Sequence, residues 1–146
     1  MIIKNGILIE VENKDIPESG SFVIPDNVKA IAQYAFYDLT KLKEVIFSEH
    51  VCAVGEGAFF KCANLRKVQF SDGVLAIGKA AFEGCIRMEK IILPNKLKVI
   101  QDELFYNCIS LKKVILPENC IKIGAYAFRG CRSLEFIKPS KKIEEI

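Results

Sequence analysis

Residues 93–115 read LPNKLKVIQDELFYNCISLKKVI, and one step of 23 residues carries this stretch onto its neighbours in both directions. Within it, Leu111-x-x-Val114-x-Leu116 mixes spacings of three and two and is rich in strand formers, so it predicts a short strand with apolar residues pointing inward. Pro94 and Pro117 follow the strand and turn the chain. Leu97-x-x-Ile100 packs inward again. Leu104, Phe105, Cys108 and Leu111 then recur at the spacing of a short helix.

Working outward, Phe36, Phe59, Phe82, Phe105 and Phe128 lie 23 residues apart each time. Further columns are Leu42, Leu65, Met88, Leu111, Leu134; Val45, Val68, Ile91, Val114, Ile137; Ile24, Phe47, Phe70, Leu93, Leu116; and Ile31, Val54, Ile77, Ile100, Ile123. Several apolar columns in register, with no insertion or deletion, define a solenoid. The expected fold is an α/β repeat solenoid, a right-handed coil of five 23-residue strand–turn–short-helix repeats over residues 22–138. No repeat buries its apolar face alone. Stacking covers each with the next, and stability becomes a sum of neighbour contacts.

The ends are expected to cap the stack. Ile2–Lys4 and Ile7–Val11 flank Asn5-Gly6, a strong hairpin signal, so residues 1–21 read as an N-terminal hairpin cap and linker. In residues 139–146, Ile143 and Ile146 continue two columns before the sequence ends. This predicts an incomplete sixth repeat that either serves as a polar C-terminal cap or pairs two copies as a homodimer through an open coil.

The columns L-x-x-V-x-L, the Ala-Phe pair and the C-x-x-L step resemble the leucine-rich repeat family. The subclass they look most like is BspA-like, with the pattern P-x-x-V-x-x-I-G-x-x-A-F-x-x-C-x-x-L-x-x-V-x-L. Repeat five carries Pro117, Ile123, Gly124, Ala127, Phe128, Cys131, Leu134 and Ile137. Departures are Leu39 for Cys, Gln101 for Gly, and Ser48 and Ser71 for Pro. The resemblance implies a binding scaffold and specifies the fold rather than a partner.

Composition narrows the function. The chain has 146 residues, one His, no Trp and six Cys, a poor inventory for acid–base chemistry. There is no G-x-S-x-G, P-loop or dinucleotide fingerprint, and in the lone Gly55-x-Gly57 the first glycine belongs to a turn column with Gly78 and Gly124. Asp102-Glu103 reads as an acidic helix start. His50 stands alone in a loop. The reading is therefore non-enzymatic, with no cofactor. Cys62, Cys85, Cys108 and Cys131 form one column. Zinc needs thiolates converging on a tetrahedron, which a linear ladder of side chains cannot provide, so no metal is expected. These thiols read as small buried core residues with an S–H for a backbone carbonyl. Cys120 belongs with them, and Cys52 is the thiol expected to be exposed.

The x positions of the strand motif face outward in three columns: Lys43, Arg66, Glu89, Lys112, Glu135; Glu44, Lys67, Lys90, Lys113, Phe136; and Ile46, Gln69, Ile92, Ile115, Lys138. The net charge of the chain is +3, and the basic excess falls on this face beside an exposed aliphatic stripe. The expected site is thus Lys43, Arg66, Lys67, Lys90, Lys112, Lys113, Ile46, Gln69, Ile92, Ile115 and Phe136, binding an acidic-surfaced protein partner as an adaptor or small inhibitor. Two alternatives are a fragment of a secreted or cell-surface adhesin and a weak nucleic-acid binder. The face lacks the aromatic interleaving of single-strand binders, which counts against the latter. Lys4, Asn5 and Gly6 interrupt the first apolar run and no segment reaches membrane-spanning length. The chain as it stands reads as cytoplasmic without membrane contact, and as extracellular or cell-surface if trimmed from a longer protein.

Overall fold

Alternation of inward and outward residues produces two short strands per repeat. The computed structural model describes residues 1–138. Its strands are β1 (Ile2–Lys4), β2 (Ile7–Glu10), β3 (Ser21–Val23), β4 (Ala30–Ile31), β5 (Glu44–Ile46), β6 (Ala53–Val54), β7 (Lys67–Gln69), β8 (Ala76–Ile77), β9 (Lys90–Ile92), β10 (Val99–Ile100), β11 (Lys113–Ile115), β12 (Lys122–Ile123) and β13 (Phe136–Lys138). The three-residue strands β3, β5, β7, β9, β11 and β13 line one side. The two-residue strands β4, β6, β8, β10 and β12 line a second side, where the sequence reading expected only inward packing. Pairing is parallel and in register. Val45 lies beside Val68, and Val54 beside Ile77.

The core is a set of side-chain ladders. Phe36, Phe59, Phe82 and Phe105 are wholly buried. Successive ring centroids along the Phe36–Phe128 column are 4.7, 5.2, 5.9 and 5.5 Å apart, with the rings nearly parallel. Fully burying one such side chain contributes about 1.5–3 kcal/mol.

The expected short helix does not form. Two positions in each turn hold positive φ, four residues apart: Tyr34 and Asp38, Gly57 and Lys61, Ala80 and Gly84, Glu103 and Asn107, Tyr126 and Gly130. Left-handed residues at that interval interrupt an α-helical ladder. The turn instead uses i→i−3 bonds such as Phe60 N to Gly57 O (2.9 Å) and bonds to the next coil, such as Phe59 N to Ala81 O (2.8 Å) and Lys61 N to Glu83 O (2.8 Å). Alternate amides thus build a third inter-coil ladder. Asp102-Glu103 accordingly opens a turn and not a helix.

At the N-terminus, Asn5 (φ 52°) and Gly6 (φ 77°) turn β1 back antiparallel to β2. The stacking register reaches further back than the sequence columns. Leu8 pairs with Ile31, and Phe22 with Val45. Between them, in the stretch expected as linker, lies a 3₁₀ turn at Asn13–Asp15, and Ile16 is buried. Among the described residues the longer strands therefore number six, one more than the full repeats read from the sequence. The C-terminal cap or unfinished coil expected at 139–146 lies outside the described residues.

Both ladders lapse at one junction. The longer strands form two sheets, β3-β5-β7 and β9-β11-β13, and among the described residues no pairing joins β7 to β9 or β8 to β10. Gln101 supplies a reason. Its column holds Gly55, Gly78 and Gly124, whose amides donate to Ile31, Val54 and Ile100 at 2.8, 2.8 and 2.7 Å. A Cβ on these glycines would lie 2.6 Å from Gln33 N, 2.5 Å from Glu56 N and 2.6 Å from Asp102 N, far inside contact distance. Gln101 carries that Cβ, so its coil stands off, and among the described residues its amide does not reach Ile77. Ala32 also occupies the column, but it lies over the hairpin strand, and its bond to Leu8 O forms at 2.9 Å. On the turn side the junction stays closed, with Phe82 N to Leu104 O at 3.1 Å and Gly84 N to Tyr106 O at 2.9 Å. The coils splay open on the sheet sides.

Candidate protein-binding face

In-register pairing converts each outward position of the longer strands into a surface row. Lys43, Arg66, Glu89, Lys112 and Glu135 are all exposed. In the second row Lys67, Lys90, Lys113 and Phe136 are exposed and Glu44 is half-buried. Lys90 lies directly beside Lys113, and Lys113 beside Phe136. Like charges side by side on a strand pair are mildly destabilising. At the other end Glu44 takes up charge, facing Lys67 Nζ at 3.6 Å and accepting from Gln69 Nε2 at 2.6 Å. Arg66, Lys90, Lys112 and Lys113 form no ion pair among the described residues, and with only Glu89 between them the centre of the face keeps a basic excess.

The third row differs from expectation. Ile92 is 53% exposed, but Ile46 and Ile115 are half-buried, because β5 and β11 are flanked by strands on both sides whereas β9 is an edge strand. The stripe is therefore discontinuous, with Ile92 in the middle and Phe136 (49% exposed) at one end. The sequence reading missed Val23, one register step before Ile46 and 63% exposed. Its column was legible, but the strand around it was not recognised.

The cysteine column lies inside. Cys62, Cys85 and Cys108 are buried, and their thiols donate to the carbonyls of Phe36 (2.9 Å), Phe59 (3.3 Å) and Phe82 (3.1 Å). Cys131 reaches Phe105 O at 3.0 Å from a half-buried position. Burial pushes the Cys62 thiol up to about 12 and Cys131 to about 11, and it raises Cys85 and Cys108 as well. Groups held so firmly neutral are packing elements, not nucleophiles. Cys120 is buried and Cys52 exposed, its Sγ 3.4 Å from Lys29 O. His50 sits in a solvated loop with Nε2 3.8 Å from Glu49. No cluster of three or more His, Cys, Asp or Glu placed to hold a metal occurs among the described residues. No helix there is long and apolar enough to cross a membrane.

One surface group went unread in the sequence. Tyr34, Tyr37 and Phe60 form a ring cluster on the turn edge, with centroids 5.8–6.2 Å apart. Tyr34 and Tyr37 are 45% and 48% exposed. Tyr37 and Phe60 share a column, but Tyr34 belongs to the column of Gly57, Ala80 and Glu103, so the cluster emerges only from how the turns stack.

Parallel coils stacked on a phenylalanine core define a repeat solenoid. The sequence matches the BspA type leucine rich repeat region in six copies over residues 15–135, and the chain belongs to that family. Among solved structures it is similar to a leucine rich cell surface protein from Faecalibacterium prausnitzii A2-165, at 31% identity and TM-score 0.80, over 84% of this chain and 32% of that one. The leucine rich repeat protein of T. pallidum is similar at 27% identity and TM-score 0.80, over 95% of this chain and 77% of that one. The pneumococcal vaccine antigen PcpA shares the fold, at 22% identity and TM-score 0.77, over 94% and 35% of the two chains. The chain spans about a third of the length of the Faecalibacterium protein. No curated protein matches the sequence.

Proposed function

We propose that this chain is a non-catalytic protein-binding module that engages an acidic partner surface through its longer-strand face. The observation that carries this reading is the cluster of Arg66, Lys90, Lys112 and Lys113, which outnumbers Glu89 and forms no ion pair among the described residues, set beside exposed Ile92 and Phe136. Charge complementarity steers encounter, and the apolar side chains supply desolvated area at contact. Affinity capture with mass spectrometry supplies the partner. Reversing Lys67, Lys90 and Lys113 to Glu then weakens binding about tenfold or more and flattens its salt dependence. Unchanged affinity and salt slope would sink the reading.

A second reading, a segment of a cell-surface adhesin, is favoured by the similar Faecalibacterium structure, described as a cell surface protein. Antibody labelling of intact cells tests it. Signal only after permeabilisation returns the chain to the cytoplasm.

A further inference from the structure

The splayed junction opens the core on the binding face. Val68 and Phe70 are half-buried, whereas their counterparts one coil to either side, Val45 and Ile91, Phe47 and Leu93, are buried. Between β7 and β9 lies a cleft of about 600 Å³ with Val68 and Phe70 among its lining, walled by Arg66, Lys67, Lys90 and Ile92. That volume is of the order that holds a few side chains. An adjoining hollow brings Arg87 to the same rim, so four cations surround the opening against Glu89. Main-chain groups are also released. In other coils Arg66 N reaches Lys43 O at 2.8 Å, Lys112 N reaches Glu89 O at 2.8 Å and Glu135 N reaches Lys112 O at 3.0 Å. Among the described residues the equivalent bond from Glu89 N to Arg66 O is not formed.

We infer that this cleft seats an extended segment of a protein partner carrying one bulky apolar side chain between acidic residues. The inference rests on the sheet-face reading and narrows it to one place. The apolar side chain fills the opening over Val68 and Phe70. The flanking carboxylates face Arg66, Lys67, Arg87 and Lys90. The extended backbone lies across the mouth of the cleft, not between β7 and β9, which stay too close to admit a strand. A nucleic acid fits less well, since Phe70 is the cleft's aromatic lining and is recessed rather than presented for base stacking. Gln101 is the positioning residue: it touches no ligand but holds the coils apart.

The test uses the full chain and a fluorescein-labelled heptapeptide with one Phe between pairs of Glu. Gln101→Gly restores the glycine of its column and leaves every charge on the face in place. It is expected to raise amide-exchange protection at 89–92 and to weaken peptide binding about tenfold or more. Val68→Lys blocks the cleft directly and is expected to do the same, with folding checked by far-UV circular dichroism. Arg132→Glu, away from the face, is a control for net charge. Peptide affinity unchanged in Val68→Lys, or unchanged in Gln101→Gly despite the gained protection, overturns the cleft. If Lys113→Glu weakens binding in that case, the broader face survives without it. If Lys113→Glu also has no effect, both readings fall.

Discussion

The thiol of Cys62 donates to the main-chain carbonyl of Phe36, one coil back, at 2.9 Å. The same bond recurs from Cys85 to Phe59, Cys108 to Phe82 and Cys131 to Phe105. The column is thus a row of fasteners between successive turns, each tying down the carbonyl of the phenylalanine that stacks below.

Alkali should undo this row. Cysteine ionises near 9.0 when unperturbed, and burial raises Cys62 to about 12 and Cys131 to about 11. A raised folded-state value stabilises fully below pH 9 and is lost as pH rises toward the folded values. Each buried thiol then removes about 1.4 kcal/mol per pH unit. Urea midpoints are expected to fall between pH 8 and pH 10.5, and a constant midpoint would contradict the assignment. At pH 8, maleimide should modify Cys52 well before Cys62, Cys85 or Cys108.

The phenylalanine stack should be unforgiving at its centre. Phe59 lies between Phe36 and Phe82 at 4.7 and 5.2 Å. Phe59→Ala is expected to cost about 3–5 kcal/mol, since neither neighbour can collapse into the space without losing its own coil contacts. Denaturant unfolding measures this, and a loss below about 1 kcal/mol would mean that the coils slide together.

Two serines stand where other coils have Pro25, Pro94 and Pro117. The hydroxyls of Ser48 and Ser71 are buried without a hydrogen-bond partner among the described residues. Ser71→Pro removes an unsatisfied group and restricts the unfolded chain, so it should stabilise by about 0.4–1 kcal/mol or more. A lower melting temperature for this variant would show that position 71 does not share the backbone of its column.

Lys61 holds φ at 60°, in the column of Gly84 and Gly130. The left-handed conformation costs a non-glycine residue about 1–2 kcal/mol. Lys61→Gly relieves this and loses only an exposed contact with the Phe60 ring, 5.5 Å away. The expected result is a melting temperature higher by about 2–4 °C.

These variants also mark where the sequence was transparent. Parallel stacking places residues 23 apart beside one another, as Val45 and Val68 are, so columns in the sequence are rows in the fold. Leu8 and Phe22 escaped because Asn13 stands where the phenylalanine column would continue, hiding a coil that the backbone nevertheless makes. The turn reads as a helix in the sequence because inward spacing in one tight turn mimics two helical turns. The corrective signal was the column Asp38, Lys61, Gly84, Asn107, Gly130, where all but Lys61 are residue types that tolerate positive φ. The basic face was readable because strand alternation fixes outward positions. The half-burial of Ile46 and Ile115 was not, since it depends on which strands are flanked on both sides once the sheet divides. Gln101 was visible as a departure, but its effect follows only from the 2.5–2.6 Å that separate its glycine counterparts from the backbone below.

The opened junction also has a mechanical meaning. Elsewhere three ladders resist the separation of adjacent coils, but between β7 and β9 the turn-side bonds and the Phe82–Phe105 contact carry the load. Drawn out by its ends, the stack should yield there first and part into two springs of three coils each, among the described residues, before either half unwinds.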